Sequence, residues 1–230
     1  MTCASFSWEV TLPNRKSLTL GSRPKGVLHI ESEARGSEDL RIPLAVAKTL
    51  IARRKAELLN PASRAELLYE LGRAEETCSR SRVEGLVDKR DYSSKELREK
   101  LVTDGYAPKV VEEAVSRAVS CGLVNDTRFA DVFIRTKIGA GWGQARIARE
   151  LSLRGIEVED VEGWPYDYFT DDSELERALA MARRKRLTGK NDYERIVRFL
   201  YGRGFSGHVA NTVARTVVDE SRDAANEYFE

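Results

Sequence analysis

The sequence predicts a mostly α-helical protein of three tandem three-helix repeats, with a small β-containing module at its N-terminus. Three observations carry that expectation. Up to about residue 43, short period-two runs alternate with turn residues. Beyond it, apolar residues follow helical spacing. Within the helical part, one set of columns recurs three times, at offsets of 50 and 49 residues.

The N-terminal stretch Ser5 to Thr11 reads SFSWEVT and alternates Phe6, Trp8 and Val10. Ser17 to Leu20 and Val27 to Ile30 are further short β-type runs. Pro13-Asn14, Gly21-Ser22 and Pro24-Lys25-Gly26 supply turn chemistry between them. Three or four strands are expected within residues 1–60. So small a sheet buries little alone and is expected to pack on the helical part of the chain. Pro43 is placed to open a helix running to about Arg54. Asn60-Pro61 is placed to open another, with Asn as cap and Pro in the first turn. Helical periodicity then reaches about Lys89, with Gly72 as a weak point.

The repeat aligns Leu97, Ile147 and Ile196; Leu101, Leu151 and Leu200; Gly105, Gly155 and Gly204; and Tyr106, Ile156 and Phe205. Each glycine is expected just past a helix end, in the left-handed conformation that lacks a Cβ penalty only for glycine. A Schellman stop then pairs the residue after the glycine with the one four before it. The pairs are Leu101–Tyr106, Leu151–Ile156 and Leu200–Phe205. A further helix starts after each stop: Pro108 suits the first turn of one, and Ser206 can cap another. Ser93-x-x-Glu96 reads as a capping box.

A helix also precedes each of these. In the second repeat it is expected from about Asp126 to Ile138, with Phe129, Val132, Phe133 and Thr136 as its apolar face. In the third it is expected from about Ser173 to Leu187, with Leu175, Leu179 and Met181. The third helix of the second repeat, near Val158 to Tyr168, contains Gly163, Trp164 and Pro165, and Pro165 is expected to end or kink it. The repeats fall at residues 61–124, 125–170 and 171–230. Stacked units of this kind predict an elongated, curved body with a long surface for partners.

Composition narrows the function. Hydrophobic residues make up 41% and charged residues 33%, too apolar for a disordered chain. Three cysteines, Cys3, Cys78 and Cys121, with no C-x-x-C spacing, argue against a disulfide scaffold and a zinc ribbon. No signal peptide and no run of about 20 apolar residues is visible, so a soluble cytoplasmic protein without membrane contact is expected. No P-loop, H-E-x-x-H or G-x-S-x-G motif is present. His29 and His208 are far apart in sequence and make no plausible catalytic pair. A protein that binds rather than catalyses is expected, with no cofactor and no metal.

The net charge of +1 hides local polarity. Residues 128–154 hold six bases and two acids, and residues 181–204 hold eight bases and two acids. Between them, residues 157–176 hold nine acids and no base. Basic stripes suit nucleic-acid phosphate or an acidic protein groove, although charge runs are commonly solvated faces. Arg183 to Arg186 cannot all share one helix face. The acidic block lacks a calcium-loop spacing and reads as neutralising neighbouring helices, with Asp171 and Asp172 favouring a helix start. Trp142, between Gly141 and Gly143, is expected in core packing rather than in base stacking.

The stretch Asn125 to Ile156 resembles the second repeat of RecX proteins. Asp126, Arg128, Phe129, Ala130, Arg135, Gly143, Arg146, Ile147, Glu150, Leu151, Gly155 and Ile156 carry the likeness. Tyr92 to Tyr106 is similar to the first repeat, through Ser94, Glu96, Leu97, Lys100, Leu101 and Gly105. Tyr193 to Phe205 is similar to the third, more loosely. The resemblance implies a modulator of homologous recombination and DNA repair that binds the RecA filament on single-stranded DNA. It implies lodging in the filament groove and inhibition of strand exchange and ATP hydrolysis. Weak direct DNA binding and a monomeric state are expected with it. The candidate RecA or DNA contacts are Arg135, Lys137, Arg146, Arg149, Arg154, Arg183, Arg184, Lys185, Arg195 and Arg198. Two other readings remain: a sequence-tolerant DNA-binding helical module, and a helical adaptor unrelated to RecA.

Overall fold

The computed structural model describes residues 6–14, 23–33, 36–169 and 171–226; the side chains of 171–172 and 224–226 are not described. The run at Ser17–Leu20 and the Gly21-Ser22 turn lie outside the described residues. The chain forms two compact units, Met1–Asn125 and Asp126–Glu230.

In the first unit, strands β1 (Phe6–Thr11), β2 (Lys25–Ser32) and β3 (Gly36–Pro43) form an antiparallel sheet in the order β1-β2-β3. Trp8 faces Ile30, and Ile30 faces Glu38. β3 reads GSEDLRIP, too polar to announce itself by alternation. Lys25-Gly26 belongs to β2 rather than to a turn. Glycine is required there by closeness: a Cβ on Gly26 would lie 2.5 Å from the Ala47 Cβ.

Helices α1 (Leu44–Lys55), α2 (Arg64–Val87), α3 (Ser94–Asp104) and α4 (Pro108–Ser120) complete the unit. Pro43 stands immediately before α1 rather than in its first turn. α2 starts at Arg64 rather than at Asn60-Pro61, because the Ser63 hydroxyl accepts from the Glu66 N–H, 3.2 Å away. One apolar cluster runs through the unit, from Leu28, Ile30 and Ile42 of the sheet to Leu50, Leu67, Leu97 and Val111 of the helices. The sheet thus buries one face on the helices. The capping box of α3 is present in both directions, Ser93 Oγ accepting from Glu96 N and Glu96 from Ser93 N.

The second unit holds α5 (Asp126–Gly139), α6 (Gln144–Leu153), α7 (Asp171–Arg183), α8 (Asp192–Gly202) and α9 (Gly207–Asn226). The three predicted stops form. Gly105, Gly155 and Gly204 have φ of +96°, +77° and +87°. Tyr106, Ile156 and Phe205 donate their N–H to the carbonyls of Leu101, Leu151 and Leu200 at 3.2, 3.1 and 3.2 Å. All six of these apolar partners are buried. Pro108 stands at the start of α4, and the Ser206 hydroxyl accepts from the Val209 N–H in the first turn of α9.

Two helix faces match their expected positions in part. On α5, Phe129, Ala130 and Ile134 are buried and Phe133 partly so, whereas Val132 and Thr136 are exposed. On α7 the buried residues include Ala178 and Ala182, while Leu175 is exposed. α7 packs on α9, where Ala210 and Ala214 are also buried. Small residues on both helices permit a close approach, and the expected face residues Leu179 and Met181 pack beside them, partly buried. α7 ends at Arg183, leaving Leu187 beyond it.

Among the described residues of the second repeat, no third α-helix comes after α6. A single 3₁₀ turn, Val158–Asp160, leads into a turn segment with a cis Trp164–Pro165 bond. Val161 and Phe169 from this segment still close the apolar cluster of Phe129, Ile134, Ile147 and Leu151.

The second and third repeats meet through backbone. Gly143 N–H donates to Arg203 C=O at 3.0 Å, and Ala145 N–H to Gly204 C=O at 3.2 Å. The start of α6 has no side-chain cap. Carbonyls at the end of α8 take that role, which sets the negative end of one helix dipole against the positive end of another.

Candidate nucleic-acid and partner interface

The ten sequence-predicted cations do not form one stripe. Two groups converge, one in each repeat of the second unit.

The first group alternates with aromatic rings. Arg154 Cζ lies 4.9 Å from the Phe133 ring centroid, and Lys137 Nζ 5.2 Å from the same ring. Lys137 also lies 4.8 Å from the Trp142 ring, and Arg146 Cζ 3.9 Å from it. The order Arg154, Phe133, Lys137, Trp142, Arg146 is therefore a ladder of cation–π contacts. Phe133 and Trp142 meet edge to face at 6.3 Å and pack on the apolar cluster beneath. Trp142 thus packs on the core, as expected, and stays partly exposed. Arg149, on the same short helix, is exposed and makes no ion pair among the described residues.

Electrostatics agree with the crowding of cations. A hydrogen bond from Arg154, 2.8 Å away, holds the Glu150 carboxyl below its ordinary range against the opposing effect of burial. Arg149 and Arg146 act in the same direction. The Arg146 Nε is buried without a hydrogen-bond partner among the described residues.

The second group lines a shallow hollow of about 290 Å³ at the end of α7 and along α8. Lys185, Arg195 and Arg198 line it together with Arg186, which is not among the ten predicted contacts. Leu187, Ile196 and Phe199 form its apolar part.

Two of the three remaining cations are engaged elsewhere. Arg135 pairs with Asp131 at 2.9 Å and lies over the Tyr168 ring. Arg183 reaches Glu220 on α9, with Nε 3.1 Å from the carboxylate. Arg184 is exposed beyond the end of α7.

Phe133 and Phe199 are site residues that charge patterning alone does not reveal. A signal for them exists: Phe133–Lys137 and Phe199–Arg203 each place a cation four residues after a ring, a spacing that brings side chains together on a helix.

Among the described residues, no cluster of metal-ligating side chains is present, and no helix is long and apolar enough to cross a membrane.

Comparison with known proteins places these features. Residues 80–117 match the family model of the first three-helix domain of RecX, and residues 125–163 that of the second. The regulatory protein RecX of Vibrio vulnificus is 37% identical over 127 residues, covering 53% of this chain and 80% of that protein. The regulatory protein RecX of Xanthomonas citri is 32% identical over 134 residues, covering 57% and 82%. The crystal structure of RecX from Lactobacillus salivarius superposes with a TM-score of 0.53 at 21% identity, covering 62% of this chain and 96% of that one. A second RecX crystal structure gives 0.54 at 16% identity over 94% and 99%. With matching three-helix domains, a shared fold and relatives above 30% identity over four-fifths of their length, the chain belongs to the RecX family.

Proposed function

We propose that this protein regulates RecA, as an inhibitor that acts by binding in the groove of the RecA–DNA filament in the cytoplasm, with no chemistry of its own. The observation that carries the reading is the ladder of Arg154, Lys137 and Arg146 interleaved with Phe133 and Trp142. It lies within the stretch that matches the second RecX domain. Cations spaced by rings suit a phosphate backbone with bases beside it, or an acidic protein groove. Occupying the groove would block a second duplex or hinder the ATPase cycle. The same ladder keeps one other reading in play, direct binding to bare DNA.

The test is DNA-dependent ATP hydrolysis by the cognate RecA with increasing amounts of this protein. The expected result is a fall at substoichiometric ratios. In the double variant Lys137→Glu, Arg149→Glu, whose side chains hold no ion pair among the described residues, about tenfold more protein should be needed, with unchanged circular dichroism. Equal inhibition by the folded variant removes this site from the interface. Tight, salt-sensitive binding to DNA without any effect on RecA would favour the DNA-module reading.

A further inference from the structure

We infer that the hollow in the third repeat is a nucleotide subsite, taking one base against Phe199 and its phosphate on Arg195, Arg198 and Arg186. The inference rests on reading the basic clusters as a strand or filament interface, and it names what one of them holds.

Its size suits this. At about 290 Å³ the hollow stands at the small end of ligand pockets, near one nucleotide unit. Its chemistry is two-sided. Leu187, Ile196 and Phe199 offer an apolar wall, and Lys185, Arg186, Arg195 and Arg198 a rim of four cations. The one acid in the lining, Asp192, is already occupied. It accepts from the N–H groups of Thr188 and Gly189 at 2.9 and 2.6 Å and from Arg195 at 2.8 Å. Those bonds hold the 188–189 loop against the start of α8. Arg195 is held in turn by the Thr188 hydroxyl at 2.7 Å. The phosphate-side cation is therefore positioned before any ligand arrives.

The ring is positioned as well. Phe199 packs against the cluster of Ile196, Leu200 and Phe205. Lys185 Nζ sits 4.0 Å from its centroid on the side of the hollow. Arg203 lies 5.3 Å from the same ring and does not line the hollow. Lys185 is exposed, and an exposed ammonium over a ring is a weaker contact than a stacked base. A base can replace the ammonium on the ring while the freed lysine turns to the phosphate. An acidic peptide would use the rim and leave the ring unused, so the aromatic wall favours the nucleotide.

The test uses the full chain without RecA and a fluorescently labelled oligothymidylate of about five nucleotides, read by anisotropy. Phe199→Leu should weaken binding about tenfold, and Phe199→Tyr, which keeps a ring, should restore it. Arg198→Ala should weaken binding several-fold at low salt, less as salt rises. Competition with free thymidine monophosphate separates the sources: displacement marks a site for single nucleotides, and its absence marks a site for a unit within a strand.

Binding unchanged by Phe199→Leu but weakened by Arg198→Ala overturns the inference, as does equal competition by oligoglutamate. No oligonucleotide binding, with RecA hydrolysis still inhibited, also overturns it and leaves the filament reading standing. Ring-dependent binding with no effect on RecA keeps the subsite and removes the filament reading.

Discussion

Gly204 carries two constraints at once. Its φ of +87° closes the α8 stop, and a Cβ there would lie 2.4 Å from the Arg146 Cβ and 2.5 Å from its backbone N. Gly189 has a similar φ of +77° with nothing within 4 Å. Gly189→Ala should therefore cost only the left-handed strain, about 1–2 kcal/mol. Gly204→Ala adds a backbone collision and should cost clearly more, read as urea unfolding midpoints of the second unit. Similar losses for the two would mean that the repeats separate easily at this contact. Asp192 supplies a pH-dependent counterpart. Burial raises its carboxyl, but hydrogen bonds from Thr188 and Gly189 and the charge of Arg195 outweigh that and hold it below its ordinary value of 3.8. A depressed carboxylate stabilises the fold above its unfolded pKa, and that stabilisation is lost as pH falls through the folded value. Asp192→Asn should thus melt lower than the native protein at neutral pH, with the gap closing below about pH 4. A gap that persists in acid would assign the effect to packing.

At the scale of elements, the helix ends decide where each repeat begins and stops. Ser93→Ala removes a reciprocal cap whose residue is buried. It should cost about 1 kcal/mol, measured by chemical denaturation. An unchanged midpoint would mean that α3 is held by packing of Leu97 and Leu101 alone. The same stop recurs where the repeat columns did not point. Gly141 also has a positive φ, and Trp142 after it donates to the carbonyl of Lys137 at 2.9 Å. The stop before Trp142 turns the chain so that its ring lies beside Phe133 and under Arg146. Local backbone chemistry therefore builds the candidate interface. Where α7 ends, the chain carries Lys185 and Arg186 off the helix and onto the rim of the hollow beside α8. This is how neighbouring bases that cannot share a helix face still reach one site.

At the scale of the whole molecule, the apolar clusters respect the division at Asn125. The first cluster joins the sheet to α1–α4, and the other two lie within the second unit. Leu50 is fully buried in the first. Leu50→Ala should destabilise that unit by about 2–5 kcal/mol. Amide exchange protection should fall in residues 6–125 and hold in 126–226. A matching loss in both would show that the two units unfold as one.

The sequence by itself determined the helical class, the repeat and its stops. These depend on short-range chemistry: a glycine with φ above zero, a leucine four residues before it, and a Ser–Glu pair at helix spacing. It also carried the family likeness, through side chains that sit within two adjoining helices. It missed β3, whose polar residues hide its pairing. It placed Phe129, Phe133, Leu179 and Met181 correctly on packed faces but also put Val132, Thr136 and Leu175 there, because the exact edge of a buried face depends on partners distant in the chain. The ten cations were legible as charge, but not their fates. Arg183 turns to Glu220, thirty-seven residues away, while Lys185 and Arg198 share a hollow. Only tertiary structure decides between such partners, because an exposed charge gains little from any one of them and takes whichever neighbour packing brings near.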